Sequence, residues 1–228
     1  IDSFNRSGKR MEHMFVRPDA LLNALTTEED TDKGCAIVDF GAQTTTLTVY
    51  KGNQYLYNKV IPYGGYDITR EVEQIGISMA YAEQLKCKYG WASADMVETN
   101  LRFRVPSVLY PQGEVAIMAQ ELAEIIGNRL NQILTPILEE LNKEPHRYGV
   151  VYVTGGGAML QGLVPYMQSK TSIPVMYGSH APWLTHDSPD EVCASNYASF
   201  VGTLIVGAGY RDSHPMEEPV DDLLKRLK

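Results

Sequence analysis

Asp39 is the first polar residue after a short apolar run, Cys35, Ala36, Ile37 and Val38, so a carboxylate stands where a buried strand is expected to end. Gly41 permits a sharp turn and Ala42 adds almost no bulk. Gln43, Thr44, Thr45 and Thr46 then bring an amide and three hydroxyls before Leu47 and Val49 resume a strand alternation. Such a turn can offer backbone N–H groups and hydroxyls to phosphate oxygens, with the carboxylate holding a hydrated divalent cation. The same residues also read as an ordinary hairpin whose Asp and Thr side chains cap the turn. A second cluster bears on the choice: Val150, Val151, Tyr152 and Val153 form another apolar strand pattern, followed by Thr154 and three consecutive glycines, Gly155, Gly156 and Gly157. Three glycines allow very close backbone approach by a ligand, and the helix-like run after them favours anionic or polar groups at its start. The spacing to Gly162 does not fit the dinucleotide fingerprint, so a Rossmann reading is weak.

The elements that must position these residues are legible to different degrees. An initial helix closed by Gly8 is expected, then a strand over 13–16, a helix over 18–25 with Pro near its first turn, and a solvated acidic loop over 27–32. Strands flank the Asp39 turn, and Gly52 and Asn53 supply a hairpin turn into a third strand over 54–61, so the sheet begins as an antiparallel meander. Helices are predicted over 66–74 and over 78–89, the second N-capped by Ser78. Glu83 and Lys86 lie three apart on that second helix and share a side, as a surface ion pair would. Residues 93–107 alternate as a half-buried strand broken by a turn. A long amphipathic helix is expected over 113–142, kinked or broken at Pro136. A helix over 159–170, a strand over 175–177 and a small-residue helix over 196–206 complete the pattern.

The ordered set of segments resembles the actin-like ATPases, and most closely their bacterial cell-division branch. The matching stretches are Asp39, Gly41, Thr44 and Thr45; the run from Lys59 through Pro62 to Gly65; Ile68 to Arg70; Ala82 to Lys86; and Thr154 to Ala158. The resemblance covers residues 1–209 and implies an α/β fold, the second half of an actin-like (ribonuclease H-like) fold. A larger subdomain would take residues 1–65 and 113–228, with a smaller inserted one at 66–112 and a linker with a partial amphipathic tail at 211–228. The first half would then lie outside this sequence. The resemblance further implies ATP and Mg2+ as cofactors. Asp39, Gly41, Gln43, Thr44, Thr45, Glu83, Lys86, Gly155, Gly156 and Gly157 would form the nucleotide site, with Asp39 holding the metal through water and Glu83 and Lys86 bonding the ribose hydroxyls. Ala42 and Gln43 stand where the pattern has further glycines, and Thr46 where it commonly has Asp; ATP binding with at most weak hydrolysis follows, and no catalytic residue is assigned. The implied partners are copies of itself in filaments, the C-terminal tail of the tubulin-like division protein FtsZ at residues 102–121, between Arg102 and Glu121, and the inner face of the cell membrane through the C-terminal tail. The expected function is a polymerising tether of the division ring, in the cytoplasm and peripheral to the membrane. A pilus-assembly or rod-shape ATPase and a sugar or acetate kinase are the alternatives on the same fold.

Composition sets looser bounds. A chain of 228 residues with 44% hydrophobic content can build one large domain or a domain with an insert. The net charge of -8, without basic runs interleaved with aromatics, argues against nucleic acid as a partner. Cys35, Cys87 and Cys193 are widely spaced without a metal-ligand pattern, as reduced thiols would be. No apolar run approaches the ~18 residues of a membrane span. His13, His146, His180, His186 and His214 lack ligand spacing.

Overall fold

The computed structural model describes residues 2–213, apart from residues 9, 10, 12, 53 and 111. The expected α/β architecture is present. A five-stranded sheet has the order β3-β2-β1-β6-β7, built from β1 (Cys35–Phe40), β2 (Thr45–Lys51), β3 (Gln54–Ile61), β6 (Val150–Thr154) and β7 (Val175–Tyr177). The first three strands form the antiparallel meander, while β6 runs parallel to β1 and β7 parallel to β6. A separate antiparallel pair joins β4 (Arg102–Pro106) to β5 (Glu114–Met118).

Strand β1 is buried along its whole length, and the two-residue period of a strand divides its side chains between two apolar layers. Ala36, Val38 and Phe40 enter the larger core, where Leu122, Ile126, Leu130, Ile133, Leu134, Ile137 and Leu141 of helix α6 (Ala119–Lys143) are also buried. Cys35 and Ile37 enter a smaller core with Leu21, Leu22 and Leu25 of α2 (Arg17–Leu25) and Ala198 of α8 (Ala198–Ser213). Strand β6 divides in the same way, with Val151 and Val153 on one side and Val150 on the other. The remaining helices are α1 (Asp2–Arg6), α3 (Glu28–Lys33), α4 (Gly65–Glu73), α5 (Met79–Tyr89) and α7 (Leu163–Gln168).

Several local expectations need correction. Residues 13–16 are not a strand: the His13 and Phe15 rings instead pack against Tyr210, at centroid separations of 4.3 and 6.1 Å. The acidic stretch over 27–32 is largely helix α3, because Thr27 and Asp30 form a reciprocal capping box. The Asp30 carboxylate accepts the Thr27 N–H at 2.8 Å, and the Thr27 hydroxyl accepts the Asp30 N–H at 3.3 Å. Residues 114–118 are strand β5 rather than the start of the long helix, since Val115 and Ile117 alternate with exposed Glu114 and Ala116 and pair with β4. Of the 93–107 stretch only β4 is strand. Helix α6 runs through Pro136 without a break. The helix expected over 159–170 is shortened to α7, because Gly162 adopts a left-handed φ of 75° and closes off the preceding turn. The C-terminal stretch expected to be linker and amphipathic tail falls, from residue 214 onward, outside the described residues.

Candidate functional site

The ends of β1 and β6 lie side by side, with Asp39 opposite Thr154 in the parallel register, so the two glycine-rich turns emerge together. Their contact is close. A Cβ on Gly155, whose φ is +88°, would meet Asp39 Oδ1 and the Phe40 carbonyl at 2.6 Å, and one on Gly157 would meet the Phe40 ring at 2.5 Å. Only glycine fits such an approach. The Asp39 turn is closed by the Gly41 N–H donating to the Thr44 carbonyl at 2.9 Å, and it also anchors α4, whose Gly65 and Tyr66 N–H groups donate to the Gly41 and Ala42 carbonyls at 3.0 and 2.7 Å.

Between these turns, α4 and α5 lies a cavity of about 330 Å3, within the range of small-molecule sites. Phe40, Ile68, Met159 and Leu160 give it apolar walls, Gly41, Gly65, Gly156 and Gly157 bring backbone to its surface, and Glu83 and Lys86 supply charge. A second cavity, of about 170 Å3, adjoins it through shared Gly41 and Gly156 and is lined by Arg17, Asp39, Thr154, Gly155 and Ser195 among others. Strand alternation explains the division: Phe40 points to the α6 side of the sheet, and Asp39 to the α2 side.

Glu83 and Lys86 belong to a compact polar cluster. The Lys86 ammonium donates to the Gly65 carbonyl at 3.0 Å and to the Thr69 hydroxyl at 2.8 Å, and lies 2.8 Å from Glu83 Oε2. Its three donors are thereby taken up. Glu83 also accepts from the Thr69 hydroxyl and, at 3.2 Å, from the Cys87 thiol. Partial burial pushes the Glu83 carboxyl up, but hydrogen bonds from Lys86, Thr69 and Cys87 outweigh it and hold the pKa below the ordinary value. Burial, then the hydrogen bond and charge of Glu83, push the Cys87 thiol up.

Of the site residues expected from the sequence, Gly41, Glu83, Lys86, Gly156 and Gly157 line the larger cavity, and Asp39 and Gly155 the smaller. Gln43, Thr44 and Thr45 line neither. Gln43 and Thr44 are exposed, while Thr45 is buried with its hydroxyl donating to the Tyr63 carbonyl at 2.9 Å. The Asp39 carboxylate, expected to hold a hydrated Mg2+, is engaged by other groups of the chain. Its Oδ2 lies 3.1 Å from Arg17 Nη1, and its Oδ1 is packed against Gly155. Among the described residues there is no group of three or more His, Cys, Asp or Glu able to hold a metal ion. Sequence reasoning missed Arg17, Phe40, Thr69, Cys87 and Leu160. Thr69 sits between Ile68 and Arg70 in a segment already singled out, and its placement one helical turn after Gly65 was the available signal.

The sheet, glycine turns and cleft define a protein of the actin-like ATPase fold. In overall structure the chain is similar to MreB5 of Spiroplasma citri bound to AMPPNP, with a TM-score of 0.73 and 17% identity, covering 93% of this chain and 64% of that one. It is likewise similar to the PilM–PilN type IV pilus biogenesis complex, with a TM-score of 0.65 and 18% identity, covering 90% of this chain and 56% of that one. In sequence, the family model for cell division protein FtsA matches residues 36–202. Cell division protein FtsA of Neisseria meningitidis serogroup B (strain ATCC BAA-335 / MC58) is 29% identical over 219 residues, covering 93% of this chain and 52% of the relative. The chain belongs to the FtsA family. It spans about half the length of the curated relatives it matches.

Proposed function

We propose that this chain is the nucleotide-binding half of an actin-like cell-division protein that polymerises and tethers the FtsZ ring to the membrane. The observation that carries the reading is the convergence of both glycine turns with Glu83 and Lys86 on one cavity beside Phe40, Ile68, Met159 and Leu160. An adenine nucleotide fits this lining. The apolar walls suit a base, the glycines bring backbone within contact distance of it, and an ionised Glu83 is an acceptor for ribose hydroxyls. Because the Lys86 donors are spent on Gly65, Thr69 and Glu83, Lys86 holds Glu83 in place rather than bonding the ribose itself. When bound, the nucleotide supplies the phosphate charge that draws a second half of the fold onto this one. FtsA-family membership favours the division role over the pilus, rod-shape and kinase alternatives.

The partner assignments belong to the same reading. The hairpin of β4 and β5 with the start of α6 would receive the FtsZ tail, using exposed Arg102 and Arg104 for charge and the exposed apolar Val108, Leu109 and Tyr110 between the strands for contact. The smaller subdomain would run from residue 66 to Met118 rather than to 112, since β4 and β5 pair across that boundary. Among the described residues no helix is long and apolar enough to cross a membrane, and membrane contact would come from the C-terminal tail.

Calorimetry with ATP tests the central claim. Residues 1–228 alone bind it weakly, because half the phosphate cradle would come from elsewhere and a few charge-assisted hydrogen bonds at about 1.5–3 kcal/mol each amount to several orders of magnitude. Micromolar binding by residues 1–228 would overturn the need for a second half, and no binding by the natural protein at full length would overturn the nucleotide reading.

A further inference from the structure

Asp39 leaves β1 on the face that carries Cys35 and Ile37, the face covered by α2 and α8. Helix α2 opens with Arg17, and the Arg17 guanidinium sits 3.1 Å from the Asp39 carboxylate. The two side chains are 64% and 12% exposed, so the carboxylate is largely shut in while the guanidinium reaches into the smaller cavity. That cavity continues from the larger one past Gly41 and Gly156. Phosphates extending from a nucleoside held in the larger cavity would therefore meet Arg17, Asp39 and the Gly155 turn.

We propose that Arg17 stands in for a divalent cation at this site, neutralising Asp39 and donating to the nucleotide phosphates, so that this face of the site binds the metal-free anion. The inference rests on the nucleotide reading above. A bare carboxylate facing a polyphosphate is repulsive, and a hydrated cation is the common way to bridge the two. Here a permanent positive charge already occupies the carboxylate. An arginine carries five N–H donors in a planar fork. The hydrogen bond to Asp39 uses one, and the remaining edge has the geometry for phosphate oxygens. A cation seeking Asp39 would have to displace the guanidinium and pull the carboxylate off Gly155.

The test measures the affinity of the natural protein at full length for a fluorescent ATP analogue, once in excess Mg2+ and once in EDTA, for wild type, Arg17→Gln and Arg17→Lys. Wild type should bind within roughly threefold in the two conditions. Arg17→Gln should lose about tenfold to hundredfold in EDTA, the worth of a charge-assisted contact. It should recover affinity in Mg2+, because the freed Asp39 then accepts the cation. Arg17→Lys, which keeps the charge, should retain most of the EDTA affinity. The proposal is overturned if wild type in EDTA falls about a hundredfold, or if Arg17→Gln binds in EDTA as wild type does. Should Arg17→Gln fail to fold, the wild-type comparison and Arg17→Lys decide alone. Absence of binding even in Mg2+ would overturn the nucleotide reading itself, and so is distinguishable from failure of the arginine assignment.

Discussion

Replacing Lys86 with Met keeps an unbranched apolar stem one atom shorter and deletes the charge. The Lys86 side chain is only 13% exposed, and its ammonium ties α5 to the start of α4 through Gly65 and Thr69 while pairing with Glu83. Its loss removes the ammonium donor from the Gly65 carbonyl and from the Thr69 hydroxyl oxygen, and leaves Glu83 without its cation. Breaking a fully buried pair costs about 3–5 kcal/mol. Glu83 is half-exposed and water screens what remains, so roughly 2–3 kcal/mol is expected. At this chain length that is a fall of roughly 5–10 °C in Tm. A pH signature separates the electrostatic cause from simple loss of packing. The folded pKa of Glu83 lies below its unfolded value, so its contribution to stability is present above that unfolded value and is lost as pH falls through the folded one. The deficit of Lys86→Met should therefore be full at neutral pH and shrink as pH drops below 4.5, the ordinary value for this carboxyl. It should not vanish, because the bonds to Gly65 and Thr69 do not titrate there. Urea unfolding between pH 3.5 and 7.5 measures both. A deficit below about 0.5 kcal/mol, within the usual range of surface substitutions, or one independent of pH, would refute the reasoning.

Three further outcomes are expected. Gly157→Ala should weaken nucleotide binding by at least about tenfold, because the added Cβ would sit 2.5 Å from the ring of buried Phe40 and drive it into the cavity; titration of a fluorescent nucleotide analogue reads it. Gly202→Ala should destabilise by roughly 1–3 kcal/mol through overpacking, despite the better helix propensity of Ala, since its Cβ would lie 2.0 Å from the Ala20 carbonyl and force α2 and α8 apart; thermal melting checks it. The double variant Arg102→Ala, Arg104→Ala should capture the FtsZ C-terminal tail at least about tenfold less well than the parent in a pull-down, and equal capture would show that neither arginine takes part in docking it.

Much of the architecture was legible because local patterns and tertiary demands agree. The short apolar runs at 35–38 and 150–153, each carrying β-branched residues and bounded by turn residues, read as buried strands, Ser78 announced α5, and the three- and four-residue apolar spacing of α6 required a covered face. Where the reading erred, a local signal was outvoted by a partner distant in sequence: residues 114–118 became a strand because β4 lies beside them. The Thr27 and Asp30 capping box was a different failure, a local signal concealed by acidic composition. The site shows the same division. Glycine at 155 and 157, and the shared helical side of Glu83 and Lys86, are properties of the chain that can be read from order and spacing. That Asp39 and Phe40, adjacent in sequence, serve different cavities follows from alternation only once the sheet has a covered face on each side. The Thr45 hydroxyl is buried against the Tyr63 carbonyl, a partner eighteen residues away that no local pattern specifies. The ion pair of Arg17 with Asp39 joins residues twenty-two apart, and no periodicity specifies it; it exists because α2 packs across the end of β1, a relation fixed by the burial of Leu21, Leu22, Leu25 and Ile37 in a common core.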